Sequence, residues 1–307
     1  MNGDGPNAEE RRILDREDPS ASLAALHRRA RVEGDGVLLE PLALGAAIPR
    51  LLLEAAARVL AERLRPTLEL IGVRRYEALC ADRRAPPGRV TSADIAVFRH
   101  RRTDIALALI PARPGHDGSP AQPPFLLGRH PVTRGESFRM RAGQDPALKP
   151  SKARADRPVT GLTVAAMMAL CGHAGLRLPT LAEWRHACAG GSGALHWWCA
   201  DYEPGLHCTW SRANGHRGAD DMRRLEPQPP ALHDHAGAWN AFGLVDMVGN
   251  VHEACRGHDR DPEAWSACGL SVLMPPASGY DLLHPPILGP DDADIDLGFR
   301  VALDLPL

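Results

Sequence analysis

Apolar positions recur at helical spacing twice in this chain and run continuously in shorter stretches between. After Pro49, which suits a first helical turn, Leu52, Ala55, Ala56 and Val59 fall on one helical face. Glu54 with Arg58, and Arg58 with Glu62, add i,i+4 pairs of opposite charge, and Pro66 ends the predicted helix. A short apolar segment follows from Leu68 to Val73. The run Ile105-Ala106-Leu107-Ala108-Leu109-Ile110 predicts a strand, and Phe125 to Thr133 a second strand with its turn. Thr163 to Cys171 is apolar at helix spacing, with Thr163 as N-cap and Gly172 or Gly175 near its end. The next helix is the best specified: Thr180 and Glu183 form a capping box, and Gly190-Gly191 stops it.

These patterns divide the chain. Residues 1–20 are polar and read as a mobile tail. Residues 21–100 read as a small, mainly helical module, with a linker at 85–93 marked by Pro86, Pro87 and Gly88. Residues 101–307 read as a second domain, in which 192–240 form long irregular loops rich in Gly, Pro, His and Trp.

Composition narrows the classes. At 307 residues the chain can hold one large domain or two smaller ones. Aromatic content is only 5%, so aliphatic side chains and alanine must fill much of the core. A net charge of -2 gives no general pull toward nucleic acid. The arginine-rich stretch 50–110 and the acidic run Asp291, Asp292, Asp294, Asp296 read as solvated surface. No apolar run reaches the ~18 residues of a membrane span, and the N-terminus has no basic start or apolar core, so a cytoplasmic protein is expected. Its seven cysteines are then reduced thiols, mostly buried as small hydrophobes, and none forms a CxxC pair.

The densest chemistry lies in Gly243-Leu244-Val245-Asp246-Met247-Val248-Gly249-Asn250-Val251-His252-Glu253. Two carboxylates, Asp246 and Glu253, flank a Gly249-Asn250 turn that fits neither a helical nor a strand period. A turn exposing carbonyls between two carboxylates is a suitable oxygen cage for a hard cation such as calcium. The histidines of the long loop read as polar surface, although His233-x-His235 with His207 or Cys208 is a conceivable transition-metal set.

This stretch resembles a signature of the formylglycine-generating enzyme (sulfatase-modifying factor) family. Three further pieces occur in the family's order: Pro131-Val132-Thr133, Arg177-Leu178-Pro179-Thr180-Leu181-Ala182-Glu183-Trp184, and Gly298-Phe299-Arg300. The resemblance implies an α+β, loop-rich fold, a variant of the C-type lectin fold, fused here to the small helical module. It implies calcium held by the side chains of Asp246 and Glu253 and the carbonyls of Gly249 and Val251, with a second site starting at Asn214.

The family's enzymes hold copper(I) on two cysteines with four residues between them, and soft thiolates suit that ion. The matching positions here are Met274 and Gly279, and no cysteine follows Cys268. Neither copper nor the oxidase activity is therefore expected, and no catalytic residue is assigned. The iron-binding His-xxx-His-x-Glu pattern of related sulfoxide synthases is also missing. What the resemblance then implies is a protein- or peptide-binding module, of a kind found in bacterial defence and signalling systems. Trp197, Trp198, Trp210, Trp239 and Tyr280 are its expected anchors, since such residues dominate binding hot spots. The alternatives are a divergent metal- or oxygen-dependent modifying enzyme, and a variable ligand-binding protein of a diversity-generating retroelement with its variability in 268–297.

Overall fold

The computed structural model describes residues 18–43, 48–78, 92–115, 121–141, 149–152, 154–191, 239–271, 273 and 284–306. The first element, α1 (Pro19–Glu33), starts where the Asp18 side chain accepts the Ser20 N–H. A 3₁₀ turn (Asp35–Leu39) and the short α2 (Glu40–Ala43) lead to α3 (Arg50–Arg63), which begins after Pro49 as its spacing predicts. Leu52, Leu53, Ala56, Ala57 and Leu60 are the buried stripe of α3. Leu52 closes a small cluster with Leu26, Val37 and Leu38.

The N-terminal region is not a separate helical module. It continues into two strands, β1 (Leu68–Glu77) and β2 (Ser92–His100), and β2 pairs antiparallel with β3 (Ala106–Ile110), matching Val97 to Ala108. With β4 (Phe125–Gly128) and β9 (Ala302–Asp304) they form one sheet in the order β1-β2-β3-β4-β9. A boundary at residue 100 would cut this sheet between hydrogen-bonded neighbours. Ser92 and Ala93, expected in a linker, open β2 instead, while 85–91 lie outside the described residues. The strands escaped the sequence reading for different reasons. β1 is an edge strand interrupted at Leu70/Gly72 and carries Arg74-Arg75, so it lacks a clean alternation. β2 is a short continuous apolar run, Ile95-Ala96-Val97-Phe98, because both its faces are covered.

Strand periodicity divides the core in two. Ala96, Phe98, Leu107, Leu109 and Leu126 point to one cluster, which includes Leu53, Ala56 and Leu60 of α3. Ile95, Val97, Ala108, Ile110, Phe125 and Leu127 point to the other. On the first side lies α5 (Val164–Ala174), capped by Thr163 and closed by a left-handed Gly175. On the second lies α6 (Leu181–Ala189), with Leu181, Trp184, Ala187 and Cys188 facing the sheet. The short α4 (Arg134–Met140) has a capping box of its own, Thr133 with Glu136, which the sequence reading passed over. A second sheet holds the hairpin β5 (His252–His258) and β6 (Asp261–Cys268), with β7 (Ile287–Leu288) beside β6 and β8 (Leu297–Gly298) parallel to β5. Among the described residues no helix is long and apolar enough to cross a membrane.

If β1 and β2 belong to the main sheet, a chain starting at residue 101 should expose the edge of β3 and fail to give a soluble, cooperatively unfolding protein. Phe98→Ala should cost about 3–5 kcal/mol in urea unfolding of the full chain. A stable, monomeric 101–307 fragment would restore the two-domain division.

Two buried histidines predict a pH dependence. Burial, with Arg102 beside His100 and Arg113 beside His186, holds both imidazoles below their ordinary range. The unfolded chain then takes up protons below about pH 6.5 that the folded chain refuses, so stability falls as pH drops through that value. The urea midpoint should fall between about pH 7 and 5, and the fall should be shallower in His100→Gln and His186→Gln.

Candidate functional site

The turn between α6 and β5 is built by left-handed backbone. Gly243, Asp246, Gly249 and Asn250 all have positive φ, at 72°, 56°, 104° and 67°. At Gly243 conformation and space agree, since an added Cβ would lie 2.6 Å from the Tyr76 ring of β1. Asn240 pins the entry to this turn: its Oδ1 accepts from the N–H of Phe242 (3.0 Å) and Leu244 (3.2 Å), and its Nδ2 donates to Ala187 O (2.7 Å). Asp246 is buried, and its Oδ2 accepts from Asn250 Nδ2 at 3.0 Å.

Glu253 has a different partner from the one its position suggests. Arg300, with 0% exposure, donates from Nε to Glu253 Oε2 (3.0 Å) and from Nη2 to Oε1 (2.7 Å). Trp184 Nε1 donates to Oε2 at 2.8 Å. Arg300 also donates to Gly128 O from Nη1 (2.7 Å) and to Val245 O from Nη2 (2.8 Å). A single guanidinium thus joins β4, the turn, β5 and the final segment, and Trp184 brings in α6. The remaining signature piece is tied by Val132 N–H, which donates to Phe299 O at 2.8 Å. All four sequence pieces meet here.

A family model of the sulfatase-modifying factor enzyme 1-like domain matches residues 86–305, well over half of the chain. The chain belongs to that family. The match begins before β2, in agreement with a sheet that runs across residue 100. A protein named formylglycine-generating enzyme, from Mycobacterium tuberculosis, is 31% identical over 133 residues, 42% of this chain and 39% of its own. A protein named serine/threonine-protein kinase pkn1, from Chlamydia pneumoniae, is 36% identical over 102 residues, 33% of this chain and 14% of its own. In both cases the chain covers much less than two thirds of the relative. Among solved structures, PvdO from Pseudomonas aeruginosa superposes with a TM-score of 0.49 and 18% identity, covering 68% of this chain and 98% of that one. Treponema denticola variable protein 1 gives 0.44 and 16%, covering 66% and 96%.

Within this family domain protein groups already meet the charge of Glu253. Both carboxylate oxygens are engaged by a buried guanidinium and an indole N–H, so the counter-charge a cation would supply is already present. A divalent ion bound there would sit against the charge of Arg300. Gly249 and Val251 lie buried in the same turn, and among the described residues no group of three or more His, Cys, Asp or Glu side chains is placed to hold a metal.

Other expected positions fare unevenly. Asn214, Trp197, Trp198, Trp210 and Tyr280 lie outside the described residues, as do Met274, Gly279, Cys208 and the histidines 207, 233 and 235. Trp239 is half-buried rather than free on a surface. It packs on the core beside Tyr76, edge to face at 5.9 Å, and its indole N–H is buried without a hydrogen-bond partner. His258 is a buried structural residue and not a surface one: Nε2 bonds Pro285 O (3.0 Å) and Nδ1 accepts from Arg260 N–H (3.0 Å). Of the acidic run, Asp291, Asp292 and Asp294 are exposed. Asp296 is buried and hydrogen-bonded by the Ser271 hydroxyl.

The thiols behave as expected of small hydrophobes. Cys171, Cys188, Cys255 and Cys268 are all buried and free. Burial pushes the Cys171 thiol up to about 12 and raises those of Cys188 and Cys255 as well. At neutral pH these three carry no thiolate, the form that attacks or binds metal. The sequence missed the outer ion pair Arg177–Glu183, two contacts of 2.7 Å, which Asp304 extends. Its partners are far apart along the chain or hidden inside a capping box.

Arg300→Met should strand a buried carboxylate and cost about 3–5 kcal/mol. Glu253→Gln should also destabilise, by the same amount in calcium as in chelator, when melting is followed by circular dichroism. A penalty for Glu253→Gln that vanishes in chelator would return the residue to an ion site.

Proposed function

We propose that this chain binds a protein or an extended peptide through its loop-rich face and does not oxidise cysteine. The observation that carries the reading is a division of labour within the domain. The four signature pieces are committed to one buried scaffold around Arg300, while no cysteine follows Cys268 to form a copper-holding pair. The buried Cys171, Cys188 and Cys255, raised by desolvation, offer no replacement thiolate. A rigid scaffold presenting variable loops is a common way for one fold to serve many partners. One relative is named a protein kinase and shares only 14% of its length with this chain, which supports use of such domains as attached modules in signalling proteins. Trp239, the first described residue after position 238, is the proposed rim of the binding face.

Two measurements test this. A sulfatase-type cysteine peptide incubated with the protein, copper(I), a thiol reductant and oxygen should keep its thiol by mass spectrometry. Selection from a displayed peptide library should enrich extended sequences, and Trp239→Ala should weaken their capture about tenfold with the fold retained by circular dichroism. Conversion of the cysteine over more than one turnover would overturn the reading, and so would a library from which nothing is enriched.

A further inference from the structure

The described surface holds one cleft whose chemistry the family signature does not use. It lies between α4 and the segment Pro150–Thr160, has a volume of about 490 Å³, and is lined by Arg134, Arg141, Arg154, Ser137, Ser151 and Thr160. Phe138 and Pro150 give it an apolar wall. Both sides are held by backbone hydrogen bonds. Arg134 N–H donates to Arg157 O (2.8 Å), Gly135 N–H to Ala155 O (2.7 Å), and Val159 N–H to Val132 O (2.9 Å). The opening is thus preformed, and its size falls within the range of small-molecule sites.

The charge balance is one-sided. Arg134, Arg141 and Arg154 have no carboxylate partner among the described residues. The nearest buried acid, Glu136, is turned away: it accepts from the Thr133 N–H and hydroxyl, and approaches His130 at 3.8 Å. Lys149 and Lys152, the only lysines of the chain, flank the cleft in sequence and are exposed; among the described residues of 134–160 the one exposed acid is Asp156. Other arginines of this protein are met by carboxylates, as at Arg29, Arg50, Arg177, Arg185 and Arg300. Three arginines without a described carboxylate partner line one concave site, and an external anion would meet their charge.

We infer that this cleft binds a small organic phosphate through Arg134, Arg141 and Arg154. Guanidinium forks match the oxygens of phosphate and carboxylate alike. A phosphate monoester offers three terminal oxygens and close to two negative charges near neutral pH, enough for three arginines and the neighbouring hydroxyls. A single carboxylate offers two oxygens and one charge. The remaining volume and the Phe138 wall accommodate the organic part. The inference stands apart from the peptide-binding reading, because it uses none of the residues assigned to that face.

The test is calorimetric titration of the full chain at about 0.15 M salt, where surface charge is screened, with adenosine monophosphate and glycerol phosphate as probes and acetate and citrate as carboxylate controls. The phosphates should bind and raise the melting temperature, and should do so more strongly than either carboxylate. Arg134→Gln with Arg141→Gln should weaken them at least tenfold. Arg154→Gln, at an exposed position that threatens the fold least, should weaken them several-fold, while Arg58→Gln, the same charge change on exposed α3, should have no effect. Vesicles carrying a phosphomonoester headgroup form a second arm: binding there alone, lost in the same variants, assigns the phosphate to a lipid. Absence of phosphate binding in both arms, equal binding by Arg154→Gln, or stronger binding of citrate would overturn the inference.

Discussion

Arg300 has no contact with water, so its charge must be met wholly by the protein, and the way it is met organises the domain. Its four described hydrogen bonds reach Glu253, Gly128 and Val245, drawn from a strand of each sheet and from the turn between them. Trp184 completes the coordination of Glu253 from a helix. Such a pair is a poor source of net stability compared with well-packed apolar groups, yet breaking one half of it is expensive. Its effect is to specify geometry: the two sheets, α6 and the left-handed turn satisfy the charge in one relative arrangement. The conformationally demanding residues of the turn, Asp246 and Asn250 with positive φ, sit beside this anchor.

Around that anchor the five-stranded sheet separates two apolar clusters, and alternation along each strand sends neighbouring side chains to opposite sides. The helix α3 covers one face with Leu53, Ala56 and Leu60, so the first hundred residues supply part of the domain's own core. The edge strand β1 then reaches the other cluster through Tyr76, which packs against Gly243 and Trp239. The N-terminal segment and the turn at Gly243 are linked by that contact.

The residues that mark a family need not be those that carry its chemistry. Residues that mark the family are largely those that close the scaffold, and a scaffold can persist while the reactive groups of its relatives do not. The signature residues are in place here, while burial raises the thiols of Cys171, Cys188 and Cys255. Positions open to ligands are those the scaffold does not consume. The cleft beside α4 is one, where three arginines line a single opening with no carboxylate partner among the described residues.

Local chemistry was readable from the sequence. An N-cap, a capping box and terminal glycines set α5 and α6 at Thr163, Gly175, Thr180 and Gly190 because each acts within a few residues of itself. The strand at Ile105–Ile110 followed from a continuous apolar run, and the α+β family fold from four short pieces in order. Nonlocal pairing was not readable. No property of Ser92–His100 says that it joins β3, because pairing depends on what covers the two faces of the strand. Likewise Glu253 is a carboxylate that a cation or an arginine could neutralise, and its contact with Arg300, 47 positions along the chain, is visible only in the tertiary structure. The same holds for the cleft. Arg134, Arg141 and Arg154 look like ordinary surface charges in sequence, and it took the return of the chain along Pro150–Thr160 to gather them around one opening.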